Sequence, residues 1–278
     1  MKGAVKAAVR GILPLAARRQ LALWLNARPW LSPATRHWWT TELLRDFAER
    51  DPDGYHRFLW SHHLAYAESY DAARRFGAGN LNATRHLLFD ELGQALGTIA
   101  LRPADVRSVL EVGCSLGYLL RHLETELFPA ATMLDGVDID GRAIAEGSAW
   151  LARAGSRVRL VEGDMAALTG LVGDRRYDVV LCAGTLMYLR EPVAGAVVAE
   201  MLARTSGVLA LAGLAHPERD NAQLDASVVR ERDGTWIHNL DAMVTRAGGR
   251  IVRRRWDGAR TIDGNTVYFV LAQPEGRT

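Results

Sequence analysis

The chain has 278 residues, 49% of them hydrophobic, and a formal net charge of +2. That length closes one sizeable core with appended helices, and the near-neutral charge argues against a surface built throughout for nucleic acid. The two cysteines, Cys114 and Cys182, each end an apolar run, which fits a reducing compartment better than a disulfide framework; no apolar stretch approaches the roughly 18 residues of a spanning helix, so a cytoplasmic location is expected.

The average charge conceals an asymmetry. From Met1 to Thr41 there are seven basic residues and no acid, which leaves −5 on the rest. Residues 1 to 100 read as a helical extension, or lid, ahead of a second unit at 101–278. "VKAAVRGIL" sets Val5, Val9 and Ile12 on one helical face until Pro14 interrupts, and "LAARRQLALWLNA" repeats the theme. Such a basic amphipathic pair suits either peripheral contact of residues 1–30 with an anionic membrane or a solvated cap on the main domain. After the Asp51–Gly54 break, Tyr55, Phe58, Leu59, His62 and Tyr66 share one stripe at helical spacing. Five of the eight tryptophans fall in the first 60 residues, so either a lid over a site or packing onto the next unit is expected.

From about residue 104 strands alternate with helices. Strands are expected at 108–112, 132–138, 157–161, 178–183, 207–213, 249–255 and 265–272, with helices near 117–127, 141–153, 191–204 and 235–247. Alternation of this kind implies right-handed crossovers and a mostly parallel sheet covered on both faces. Only "DGARTIDGN" joins the last two strands, so they form a hairpin and the final strand runs antiparallel.

"SVLEVGCSLGYLLRHL" is a buried strand, a glycine turn and a helix. The turn spacing is Gly113, Ser115, Gly117, not that of a dinucleotide fold, and Glu111 directs a carboxylate to the same crevice. That charge repels a pyrophosphate and welcomes a sulfonium with an ammonium group. "LEVGCSLGYL" resembles the first motif of class I S-adenosylmethionine-dependent methyltransferases, departing from it in carrying Ser115 where the middle glycine stands. The resemblance runs from about 105 to 273. It implies a seven-stranded, mostly parallel sheet with helices on both faces and an antiparallel last strand, and S-adenosylmethionine as cofactor. It assigns Asp138 to the ribose hydroxyls, Ile139 and Met165 to the faces of the adenine, Asp164 to its amino group, and "YDVVLCAGTLMYL", with Cys182, to the strand end where acceptor meets sulfonium.

Methyl transfer to a hydroxyl needs a base. His216 and His238 flank the long segment 215–234, expected to overhang the acceptor, and Tyr188 is a third candidate. His56, His62 and His63 lack the cysteine or paired carboxylate that would complete a metal site, so no metal is expected. The loop after the fourth strand lacks the Asn/Asp-Pro-Pro-aromatic signature of base-modifying enzymes. A small-molecule or glycan-precursor acceptor follows, with oxygen favoured over nitrogen and no specific nucleic acid. Arg219, Arg230 and Arg232 are available to an anionic acceptor or to solvent. An NAD(P)-dependent oxidoreductase and a non-catalytic S-adenosylmethionine-binding scaffold are the alternatives.

Overall fold

The computed structural model describes residues 13–65, 81–231 and 233–276. The expected helix over Val5–Ile12, Tyr66 and Arg232 lie outside these. Three helices, α1 (Leu15–Asn26), α2 (Pro33–Arg50) and α3 (Pro52–Ser61), precede α4 (Ala83–Thr98). There follow β1 (Ser108–Val112), α5 (Tyr118–His122), β2 (Met133–Asp138), α6 (Gly141–Arg153), β3 (Val158–Glu162), α7 (Leu168–Val172), β4 (Tyr177–Ala183), α8 (Glu191–Ala203) and β5 (Thr205–Gly213). The chain ends with a two-stranded ribbon, β6 (Val228–Val229) and β7 (Trp236–Ile237), then α9 (Leu240–Arg246), β8 (Gly249–Ile262) and β9 (Asn265–Pro274).

The main sheet runs β3-β2-β1-β4-β5-β9-β8. Its first five strands are parallel, and β9 is antiparallel to both neighbours. Alternation along each strand feeds two cores. Leu110, Val180 and Cys182 meet α8 and α9 on one face, while Val109, Val179 and Leu181 meet Leu88, Leu92 and Leu96 of α4 and Leu120 of α5 on the other. Thus α4 covers the sheet, whereas α1 to α3 close a core of their own around Ala22, Leu43, Leu44, Phe47 and Phe58.

Two details depart from the expected helices. The helix placed at 117–127 is α-helical only to His122 and then widens into a π-helical turn, with Phe128 N–H donating to the Leu123 carbonyl at 2.7 Å. The helix placed at 235–247 begins at Leu240, capped by Asn239, because Trp236 and Ile237 pair with Val229 and Val228 instead.

Two arginines of the basic N-terminal region face inward. Arg18 is 4% exposed and pairs with Asp46, and the Arg19 guanidinium lies 4.1 Å over the Phe47 ring. They hold the cap together and add little to a basic surface. No helix among the described residues is long and apolar enough to cross a membrane.

In α6, Gly147 lets the helix press on the glycine turn: a Cβ there would stand 2.5 Å from the Leu116 carbonyl oxygen. Gly147→Ala is expected to lower stability by about 1–3 kcal/mol in urea or thermal unfolding, although alanine favours a helix by about 1 kcal/mol. A stabilised variant would show that this contact is loose.

Candidate active site

The turn after β1 is built from backbone conformation. Gly113, Ser115 and Gly117 take φ of 81°, 49° and 73°. Gly113 and Cys114 donate their N–H groups to the Val137 carbonyl at 2.8 and 3.1 Å, which joins the turn to the end of β2. A Cβ on Gly113 would lie 2.1 Å from Thr185 Oγ1, so only glycine fits between β1 and the loop after β4. Ser115 holds a left-handed conformation that costs an L-residue about 1–2 kcal/mol. Its N–H donates to Asp138 Oδ2 at 2.7 Å, which offsets part of that cost. The other oxygen, Oδ1, accepts from Asp140 N–H at 2.9 Å. Asp140 caps α6 through Arg142 and Ala143 N–H.

Glu111, on β1, is 2% exposed. Its Oε2 has no hydrogen-bond partner among the described residues. Burial pushes its carboxyl up to about 8; Arg85 opposes the rise and Asp138 adds to it. A carboxyl with one unpartnered oxygen in this position suits a cationic group.

A cavity opens where the strand order reverses, between β1 and β4, the usual ligand position in such sheets. Gly113 and Ser115 line it, as do Asp138 and Ile139 after β2, Asp164 and Met165 after β3, and Thr185 after β4. Its roof is α3. Asp53, His56, Arg57 and Trp60 line the cavity from that helix, and their spacing of i, i+3, i+4, i+7 is one helical face. The opposite face, with Tyr55, Phe58 and Leu59, packs into the core of the cap. Three polar pairs join the roof to the sheet: Arg57 Nε to Asp164 Oδ2 at 2.8 Å, Arg190 Nε to Asp53 Oδ2 at 2.7 Å, and His63 Nδ1 to Asp140 Oδ2 at 2.6 Å. The two arginine pairs, half-exposed on the arginine side, contribute about 0–1 kcal/mol each, whereas the His63–Asp140 pair is buried.

The remaining sequence candidates are dispersed. Tyr188 lines the cavity, its ring centroid 5.2 Å from His56 and 4.9 Å from Trp60. Glu111, Gly117, Cys182, His216 and His238 are not part of its lining. Cys182 is fully buried in β4, and burial pushes its thiol up to about 12. His216 accepts the N–H groups of Glu218 and Arg219 on Nδ1 at 3.2 and 3.1 Å, closing a turn. His238 is 4% exposed and stays neutral, because burial lowers its pKa. Its Nε2 donates to the Leu186 carbonyl at 3.0 Å, so Nδ1 accepts from Ser227 Oγ at 2.7 Å. Both ring nitrogens are thereby occupied in holding the ribbon to the loop after β4. Arg230 pairs with Asp233, and Arg219 donates to the Gln223 carbonyl.

Sequence reasoning does not single out Asp53, Arg57, Trp60 or Arg85 as site residues, and it leaves His56 between a substrate-pocket and a packing role. The legible signal was the second face of "PDGYHRFLWS", where an acid, a histidine, an arginine and a tryptophan recur at helical spacing.

This sheet order, the glycine turn bonded to Asp138 and a cavity at the switch point are those of the class I S-adenosylmethionine-dependent methyltransferase fold. Residues 109–206 match the family model described as Methyltransferase domain. No curated protein matches the sequence. Among solved structures it is similar to 1,6-didemethyltoxoflavin-N1-methyltransferase of Burkholderia thailandensis, with bound 1,6-didemethyltoxoflavin and S-adenosylhomocysteine, at 17% identity and a TM-score of 0.57, covering 81% of this chain and 91% of that one. Magnesium protoporphyrin IX methyltransferase of Synechocystis PCC 6803 is 16% identical with a TM-score of 0.53, covering 81% and 100%. A glycopeptide N-methyltransferase is 18% identical with a TM-score of 0.51, covering 71% and 98%. At these identities the likeness is one of fold.

Proposed function

We propose that the protein transfers the methyl group of S-adenosylmethionine to a small molecule enclosed between α3 and the strand ends, with oxygen preferred over nitrogen as acceptor atom. The observation that carries this reading is the roof: one face of α3 closes the cavity above Asp138, Asp164 and Thr185. The lining supports a modest-sized, weakly charged acceptor, because the cationic Arg57 is paired with Asp164 and the anionic Asp53 with Arg190. The toxoflavin-pathway and porphyrin enzymes of similar fold bear names that describe small acceptors.

On this reading Asp138 receives the two ribose hydroxyls, Asp164 the adenine amino group, and Ile139 and Met165 flank the ring. Glu111 attracts the ammonium group, and Gly113 and Ser115 allow the close approach that their conformation provides. The cofactor supplies an electrophilic methyl on sulfur. The chain contributes mostly position, since a displacement of this kind is fast once acceptor and methyl are aligned at near-attack distance. Exclusion of water under α3 strengthens each of these electrostatic contacts.

The test is transfer of labelled methyl from S-adenosylmethionine into cell extract fractionated by mass. Label is expected in the low-mass fraction. Label confined to protein or nucleic acid would refute the small-molecule reading.

A further inference from the structure

We infer that His56 is the proton acceptor of the reaction and that the acceptor is a flat aromatic hydroxyl lying against Tyr188 and Trp60; this rests on the small-molecule reading above. His56 combines several features at one point of the cavity. It lines the cavity and is only 7% exposed. Tyr188 packs against its ring, and Trp60 packs against Tyr188, which makes an aromatic wall beside the imidazole. Flat rings gain about 0.5–1.5 kcal/mol from such contacts beyond the area they bury.

The Gly234 backbone, at the ribbon turn, favours the protonated form of His56. Burial lowers the pKa of His56, while the Gly234 carbonyl, Asp233 and Asp53 raise it. Asp53, Tyr55 and Arg57 of α3, Tyr188 of the turn after β4 and Asp233 of the ribbon are the titratable and charged groups around it. The imidazole is therefore neutral at pH 7, and Asp53 and Asp233, each also paired with an arginine, favour its protonated form. His216 and His238 lack this combination: neither lines the cavity, His216 accepts two backbone N–H groups on Nδ1, and both ring nitrogens of His238 are engaged.

The step balances. The hydroxyl oxygen bonds the methyl carbon as the carbon–sulfur bond breaks, its electron pair remaining on sulfur to leave a neutral thioether. The hydroxyl proton passes to the neutral imidazole of His56, giving an imidazolium. The positive charge thus moves from sulfur to the roof of the cavity, toward Asp53 and Asp233.

The experiment follows transfer of labelled methyl to phenol, catechol and 4-nitrophenol by the wild type and His56→Gln, with S-adenosylhomocysteine affinity measured by calorimetry. The variant is expected to lose roughly 10²–10⁴-fold on phenol and catechol and less on 4-nitrophenol, whose hydroxyl ionises more readily, with cofactor-product affinity unchanged. For the wild type at saturating cofactor, the rate on phenol should rise with pH through one ionisation below the usual histidine range and then level. The inference is overturned by equal rates in the two proteins, by the same fractional loss on all three acceptors, by a flat pH profile, or by a wild type that labels low-mass extract components and none of the three phenols. If neither extract nor phenols are labelled, the small-molecule reading itself fails and this inference with it.

Discussion

Replacement of Asp138 by alanine is expected to weaken S-adenosylmethionine binding by at least 100-fold, measured by calorimetry. Two effects add. A carboxylate bonded to both ribose hydroxyls supplies charge-assisted hydrogen bonds of about 1.5–3 kcal/mol each. The same carboxylate organises the empty site, since its two oxygens accept the N–H groups of Ser115 and Asp140. Without it, Ser115 keeps its unfavourable φ of 49° with no acceptor in return, and the turn relaxes. Asp138→Asn separates the two effects. The amide keeps one oxygen for one of these N–H groups and turns a donor toward the other, so affinity should fall between wild type and alanine. An alanine variant within about threefold of wild type would show that the ribose is held elsewhere.

Glu111→Gln is expected to reverse sign between the free and bound protein. In the free protein burial raises the Glu111 carboxyl from 4.5 to about 8. The folded chain therefore retains a proton that the unfolded chain releases at ordinary glutamate pH. The resulting stability is complete below 4.5 and is lost as pH rises toward about 8. Glutamine cannot ionise, so the variant should lose this part of the pH slope and be the more stable protein near pH 8. On the proposed reading, the ammonium of the cofactor would provide in the complex the partner that Oε2 lacks. Glu111 then ionises on binding, and near pH 7 the wild type should release close to one proton, read by calorimetry in buffers of different ionisation enthalpy. Affinity should tighten as pH rises toward about 8. Glutamine abolishes the proton release and weakens binding by about 2–3 kcal/mol, the contribution of a hydrogen bond to a charged group with its desolvated partner. Equal affinity and equal proton release in the two proteins would remove Glu111 from the cofactor site.

Both predictions concern residues readable from the sequence, and the reason is local. Glu111, Gly113, Ser115 and Asp138 lie at the ends of β1 and β2, which pair directly in register, Glu111 opposite Gly136. A strand–turn–helix unit writes its own geometry through alternation, positive-φ positions and caps, so spacing alone brings these groups to one crevice. The same holds for the antiparallel β8–β9 hairpin, whose two-residue turn at Asp263 and Gly264 has both φ positive.

The failures have a different cause. Trp236 and Ile237 joined a strand in place of a helix because their partners, Val229 and Val228, lie across a turn that hydrophobic period does not reveal. His216 and His238 are attractive from their position after β5, yet neither lines the cavity: Nδ1 of His216 closes a turn, and both ring nitrogens of His238 are engaged by Ser227 and by Leu186 across the fold. Nothing in a sequence distinguishes a histidine with a free nitrogen from one already satisfied.

The sequence by itself determined the sheet, the glycine turn and the acidic positions at the strand ends, because periodicity, glycine conformation and capping act over a few residues. Only the tertiary structure decided the roof of the site. Asp53 meets Arg190 across 137 residues and His63 meets Asp140 across 77, and such pairings depend on how the cap folds back over the sheet. The identity of the cavity's imidazole follows from that closure: His56 faces the strand ends because Phe58 and Leu59, on the opposite side of the same helix, are buried in the cap.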